Sequence, residues 1–465
     1  MPQFHTSMMP IVLATVFVAT AFVSGQTTTR VSLASDGFTQ GNGGSEAPAV
    51  SADGRFVAFQ SDATNFVPDD TNASSDIFVH EIQTGHTTRV SVVTGGGQAN
   101  GRSLSPTISA DGRYVAFWSL ASNLVAGDTN SFTDAFVHDN TTGETRRVSV
   151  CTDGTQANGS SYYPITSGNG RFVAFTSDAS NLVPEPPGSA LLQIYVHDML
   201  TGENTRVSVG PSGIPGNNTS YPTSISADGR YVGFYSDASN LVLNDTNSAV
   251  DAFVHDRQTG QTLRVSVSTD GVQGNNWSSI PTLSADGRFV AFSSLASNLV
   301  LNDTNALWDV FVHDMQTGDT RRVSVTTSGG EGYGTSIASV ISANGHFVTF
   351  SSGALNFVTC HTDQAYDVFT YNLATGVLRR ASTITGGAEG NGTSYTSSIS
   401  ADGGVVAFRS SASNLVPGDT NDVDDIFINS DKGPGSDCPE DVNGDGAIGL
   451  SDLARIILRW GQSCN

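Results

Sequence analysis

The chain has 465 residues, with 44 acidic side chains against 21 basic ones and a formal charge of −23. That balance argues against a nucleic-acid partner, because polyphosphate is repelled. An apolar fraction of 38% with 24 regularly spaced Phe excludes intrinsic disorder, and the length fits two or three ordinary domains or one repeat architecture.

From the N-terminus, an apolar stretch runs from Ile11 to Val23 and ends in Val23-Ser24-Gly25, small residues suited to a signal-peptidase site. Residues 1–25 are read as an export signal, too short for a comfortable membrane span, so no span is expected after cleavage. The expected location is extracellular, cell-surface or periplasmic. Four cysteines agree with export: Cys438 and Cys464 bracket the C-terminal unit and can close it in an oxidising compartment. Cys151 and Cys360 fall in different repeats and are read as separate thiols.

Next comes a repeated unit. A tetrapeptide of the form Ser-Ala-Asp-Gly begins at Ser51, Ser109, Ser167, Ser226, Ser284, Ser342 and Ser400, spaced by 58 or 59 residues. Each unit carries four strand signals: the run into the tetrapeptide (Pro106-Thr107-Ile108), Arg55–Phe59, Asp309–Asp314 and Thr145–Val150. Four antiparallel strands repeated radially predict an all-β, seven-bladed β-propeller over residues 28–430. No fourth strand follows Asp425–Ile428, so the early copy at Thr28–Leu33 is expected to complete the last blade and remove the open edges. An open solenoid would need capping repeats.

The second-to-third connection and the link to the next blade are long, and a meander puts both on one face. That loop-rich face is where binding is expected. Its loops contain Asp-x-Asn-x-x-x-Asp, as in Asp70/Asn72/Asp76 and Asp128/Asn130/Asp134, which admits Ca²⁺ ligation or Asx-turns; turns are favoured because a full ligand set is missing. His80, His138, His197, His255 and His313 share one third-strand position and are read as packed between blades. The arginines of the second and fourth strands are expected to cross-link acidic turns through their planar fork. Trp277, Trp308, Tyr162, Tyr163 and Tyr221 break the repeat and are placed in loops of this face, as candidates for stacking on sugar rings. No nucleophile elbow, metalloprotease helix or phosphate loop occurs, so no catalytic residue is assigned.

After a linker at 431–437, the segment Asp441–Asp452 matches an EF-hand type of calcium loop. Asp441, Asn443 and Asp445 supply side-chain oxygens, Gly446 the sharp turn, Ala447 a carbonyl and Asp452 the closing position. Leu453, Ile456, Ile457 and Trp460 then follow a helical stripe.

The segment Ser284–Phe292 through Asp309–Asp314 resembles the TolB-like, WD40-like propeller repeats of the PD40 type, and the likeness extends over nearly all of residues 28–430. The tail at 438–465 is similar to half of a dockerin domain, with one loop–helix unit where a full dockerin has two. The resemblances imply a protein-interaction platform, or a gating module beside a hydrolase domain, which this chain lacks. The expected function is that of an exported, non-catalytic, monomeric scaffold. Its loop face would engage a protein or glycan, and its calcium-binding tail would attach it to a cohesin-like or cell-surface partner. The alternative is a propeller enzyme or accessory factor of polysaccharide degradation, which requires a carboxylate pair in the channel with no counterpart in other blades.

Overall fold

β-Branched and aromatic runs separated by Asp-Gly and Thr-Gly turns pair in sequence order, each strand antiparallel to the next. The computed structural model describes residues 26–184, 191–358 and 365–430. Six sheets of four consecutive strands occupy residues 45–89, 103–147, 161–206, 220–264, 278–322 and 336–380, blades 1 to 6. The seventh joins three strands of residues 394–430 to Thr27–Arg30, which pairs with Asp425–Ser430, Thr28 lying opposite Asn429. The chain is therefore an all-β, seven-bladed propeller closed by its own N-terminal strand. Among the described residues no helix is long and apolar enough to cross a membrane.

Burial sits between blades rather than within them. Ala58, Ile77 and Val79 of blade 1 pack against Phe117 and Phe136 of blade 2, and the same sandwich recurs around the ring. The first strand of each blade contacts the first strands of both neighbours, so these strands surround the axis.

Two cycles of backbone hydrogen bonds clamp the ring. At the tight-turn end, Ala52 N donates to Ala110 O, Ala110 N to Gly168 O and Asn169 N to Ala227 O. The cycle continues from Ala227 N to Ala285 O, Ala285 N to Ala343 O and Asn344 N to Ala401 O, then from Ala401 N back to Ala52 O, all at 2.8–3.1 Å. A Cβ at Gly168 would lie 3.0 Å from the Ala227 methyl and 3.7 Å from that of Ala110, so these small side chains crowd together around the axis and narrow that end. At the long-loop end, the first residue of each first strand donates to the residue preceding the neighbouring blade's third strand, as in Ser45 N to Asp424 O and Ser336 N to Trp308 O, both 2.8 Å.

The tetrapeptide glycine meets two demands at once. Gly170 has φ +70°, and a Cβ there would stand 2.1 Å from the ring of Tyr114 in the preceding blade. The serine and aspartate close the same turn: Ser109 Oγ donates to Asp111 Oδ1 and accepts from Tyr114 N.

Candidate binding site at the open end of the channel

The repeated polar residues are structural. In blades 1, 2, 4, 5 and 7 a fourth-strand arginine enters between two carboxylates of its own long loop. Arg147 Nη1 lies 3.2 Å from Asp128 Oδ1 and 3.1 Å from Asp134 Oδ2, and Arg30, Arg264 and Arg322 repeat the arrangement at 3.0–3.4 Å. Asn72 accepts from Ser74 N in an Asx-turn and donates to Asp76 Oδ2 and to Ala99 O of the following linker. A guanidinium thus occupies the space between the carboxylates, as the expected cross-link requires. Burial pushes Asp76 and Asp303 up to about 6. In blade 3, Gln193 replaces the second aspartate, and Arg206 stacks 5.5 Å from the Tyr195 ring centre.

The five histidines belong to a relay between blades. Nδ1 of His80, His138, His255 and His313 lies 2.8–3.0 Å from a threonine Oγ1. Each of these threonines, Thr87, Thr145, Thr262 and Thr320, donates to a carbonyl of the preceding blade at 2.5–2.6 Å. With its own hydrogen committed, the hydroxyl must accept, which assigns the proton to Nδ1. His197 uses Asn204 in the same way, the amide donating to Val150 O. Burial pushes all five rings below the usual histidine range, His80 and His255 to about 4.

The second-strand arginines act at the tight-turn end. Arg113 forks onto Asp139 at 3.0 and 2.7 Å and lies 4.8 Å from the Tyr114 ring centre. The bidentate bonds hold Asp139, Asp198 and Asp256 at about 2.

Two facing columns that do not repeat stand at the opposite end. The second residue of the first strand is Glu46, Leu104, Tyr162, Tyr221, Ser279, Ile337 and Tyr395 around the ring. Its cross-strand partner is Gln60, Trp118, Thr176, Tyr235, Ser293, Ser351 and Arg409. Tyr162, Tyr163 and Tyr221, expected in loops, instead stand in the first strands Ser161–Thr166 and Ser220–Ile225. The proline two residues after Tyr162 looks like a strand boundary in sequence. It is tolerated because the ladder bulges between Tyr162 and Ile165 on an axis-facing edge strand. Tyr163 takes φ +50° at that bulge and is 45% exposed, as is Ile280 at φ +53° and 37% in blade 5.

A continuous aromatic arc results. Trp118 meets Tyr162 at 5.5 Å and Tyr163 at 6.3 Å, Tyr163 meets Tyr221 at 6.2 Å, and Tyr221 stacks on Tyr235 at 5.3 Å, across blades 2, 3 and 4. Trp118 Nε1 is buried without a hydrogen-bond partner among the described residues. Trp277, 54% exposed, precedes the first strand of blade 5, and Trp308 precedes its third. They share the arc's end of the molecule, as expected, but make no ring contact with it among the described residues.

Beside the arc, where blade 7 meets blade 1, lies a charged junction. Arg409 Nη1 is 3.0 Å from Glu46 Oε1, its Nε is 3.3 Å from Asp424 Oδ2, and its guanidinium lies 5.3 Å from the Tyr395 ring centre. Gln60 donates to Glu46 Oε2 at 3.4 Å and accepts from Ser105 N at 2.7 Å. Trp118, Tyr235, Tyr395 and this junction were not singled out in the sequence. Aligning the seven units and asking which columns fail to repeat would have found them.

Asp441, Asn443, Asp445, Ala447, Asp452, Cys360, Cys438, Cys464, the 1–25 segment and the linker lie outside the described residues. Cys151 is a free thiol that donates to Asn181 O at 3.0 Å.

No protein-family model matches this chain, and no curated protein matches it. Among solved structures, the chain is similar to an oligogalacturonate lyase in complex with manganese, with a TM-score of 0.51 at 13% identity over 87% of this chain and 92% of that one. It is also similar to a putative TolB from Agrobacterium tumefaciens, with a TM-score of 0.40 at 16% identity over 65% and 86%. The β-propeller domain of the Trilobed protease from Pyrococcus furiosus gives 0.49 at 10% over 83% and 95%. At such identities the likeness is one of fold.

Proposed function

We propose that this chain is an exported, non-catalytic binding propeller whose ligand, a protein or a glycan, sits at the open end of the channel. The observation that carries this reading is the concentration of non-repeating Tyr and Trp there, while the repeated arginines, histidines and acidic turns serve the frame. Tyr162, Tyr163, Tyr221, Tyr235 and Tyr395 stand at that end, with Trp118, Trp277 and Trp308. Replacing Tyr163 and Glu46 with alanine should abolish ligand capture by the immobilised chain without moving its melting midpoint. Retained capture would refute the placement.

The tail deepens the reading. Asp441, Asn443, Asp445, Ala447 and Asp452 have the ligand types of a calcium loop, and a Cys438–Cys464 bridge would help close so small a unit around the ion. Attachment to a cohesin-like or cell-surface partner is the role assigned to it. Asp441→Ala should eliminate calcium binding by titration calorimetry, and localisation of that variant tests attachment.

A second reading, an enzyme acting on polysaccharide, draws support from Glu46 and Asp424, carboxylates with no counterpart at the same columns of other blades. Arg409 lies between them and pairs with both, so neither carboxylate stands free at the mouth. Release of reducing ends from a polysaccharide by the wild-type chain, lost in Glu46→Gln, would establish the enzyme instead.

A further inference from the structure

We infer that the ligand of the channel mouth is an uncharged oligosaccharide. This rests on the reading above that the mouth is the binding site. It would lay its sugar faces on the aromatic arc and direct its hydroxyl groups to the Glu46–Arg409 junction.

Three observations favour this class. The arc is built from Trp and Tyr, with none of the 24 Phe in the non-repeating columns. Rings with a polar atom suit a partner that is apolar on its faces and hydroxylated at its rim. A pyranose has that character, and Trp118 Nε1 is a donor without a partner among the described residues. Next to the arc, Glu46 is half exposed at 49% and anchored through one oxygen to Arg409, so its carboxylate and the Gln60 amide can accept from and donate to vicinal hydroxyls.

Charge narrows the sugar. A formal charge of −23, with Glu46 and Asp424 at the mouth itself, repels polyuronate and sulfated chains. Arg409, the cation at this junction, is already engaged by both carboxylates.

A peptide ligand is the main competitor, and the backbone weighs against it. Strand addition needs a continuous unpaired edge. The axis-facing first strands have a break in register in every blade, and Pro48, Pro106, Pro164, Pro222 and Pro281 interrupt the donors.

The test uses the full chain and an array of neutral hexasaccharides in the gluco, manno and xylo series, with hexagalacturonate as the charged comparison. At least one neutral hexasaccharide should bind by titration calorimetry, and hexagalacturonate should bind at least tenfold more weakly. Tyr163→Ala should weaken binding at least tenfold, whereas Leu200→Ala, an exposed side chain in a tight turn at the opposite end, should leave it within twofold. Equal melting midpoints would show that Tyr163→Ala is folded, and Glu46→Gln provides a second variant with the same expected loss. Failure of every neutral sugar, preference for the charged one, or indifference to both mouth variants overturns the assignment. If sugars fail but a protein partner is captured in a Tyr163-dependent manner, the mouth stands as the binding site and the sugar class falls. If neither sugars nor proteins respond to these variants, both readings fall.

Discussion

Phe fills the spaces between blades, where Phe117 and Phe136 are fully buried and stack at 5.9 Å, while Tyr and Trp collect where one side of the ring meets water. Among the exceptions, Tyr114 and Tyr231 replace a second-strand Phe and sit beneath an arginine fork, and the buried Tyr195 lies against Arg206. Glycine divides just as sharply. Gly143 and Gly170 have nearly equal φ, +71° and +70°, but a Cβ at Gly143 meets nothing within 4 Å. Gly143→Ala should therefore lose about 1–2 kcal/mol, the cost of a left-handed alanine. Gly170→Ala should lose about 1–3 kcal/mol more, because its methyl collides with Tyr114. Urea midpoints of the two variants check the difference. Asp-Gly was legible in the sequence as a turn, but the neighbour that forbids a methyl comes from another blade, beyond the reach of local reading.

Between elements, two polar devices hold the ring, and each has its own pH signature. His255 titrates near 4 when folded, against about 6.5 for a free imidazole. Its folded value is depressed, so the unfolded chain binds the extra proton between those limits. The ring's contribution is complete above about pH 6.5 and declines as pH falls toward 4. The stability gap between wild type and His255→Gln should therefore shrink by about 1–3 kcal/mol over that interval, as read from denaturation midpoints. The arginine forks behave differently. Arg147→Gln leaves Asp128 and Asp134 facing each other without a cation and should cost about 3–5 kcal/mol at neutral pH. That loss should diminish on acidification, because burial already raises Asp134 and a protonated carboxyl no longer repels its neighbour. The histidine column and the acidic loops were visible as repeats. What each residue bonds was not, since Thr145 reaches Val92 across a blade boundary, 53 residues away.

At the scale of the whole molecule, closure depends on the shortest segment. Thr27–Arg30 supplies the outer strand of blade 7, Thr28 bonds Asn429 across 401 residues, and Arg30 neutralises Asp419 and Asp425. Deleting residues 26–33 should expose the third-strand edge of blade 7 and leave those carboxylates unpaired. The expected result is an aggregating chain with a broadened melting transition. Appending the same residues after Ser430 through a flexible turn should restore a sharp transition and a monomeric elution volume. The blade count and this closure were legible because seven near-copies make the arithmetic plain. The mouth was only half legible, because Trp118 and Tyr395 lie in different blades and become neighbours of one opening only when the ring closes.

The clamped end of the propeller has a consequence for orientation. Asp424, at the start of the last strand, stands at the open end, and Ser430, at its finish, lies at the end crowded by the alanine ring. Whatever follows Ser430 is thus tethered to the back of the disc. A chain held by its C-terminus would present its aromatic mouth outward, away from its anchor. With the rear constricted, a long polymer would lie across that mouth and be gripped at internal positions, without first offering a free end to be threaded.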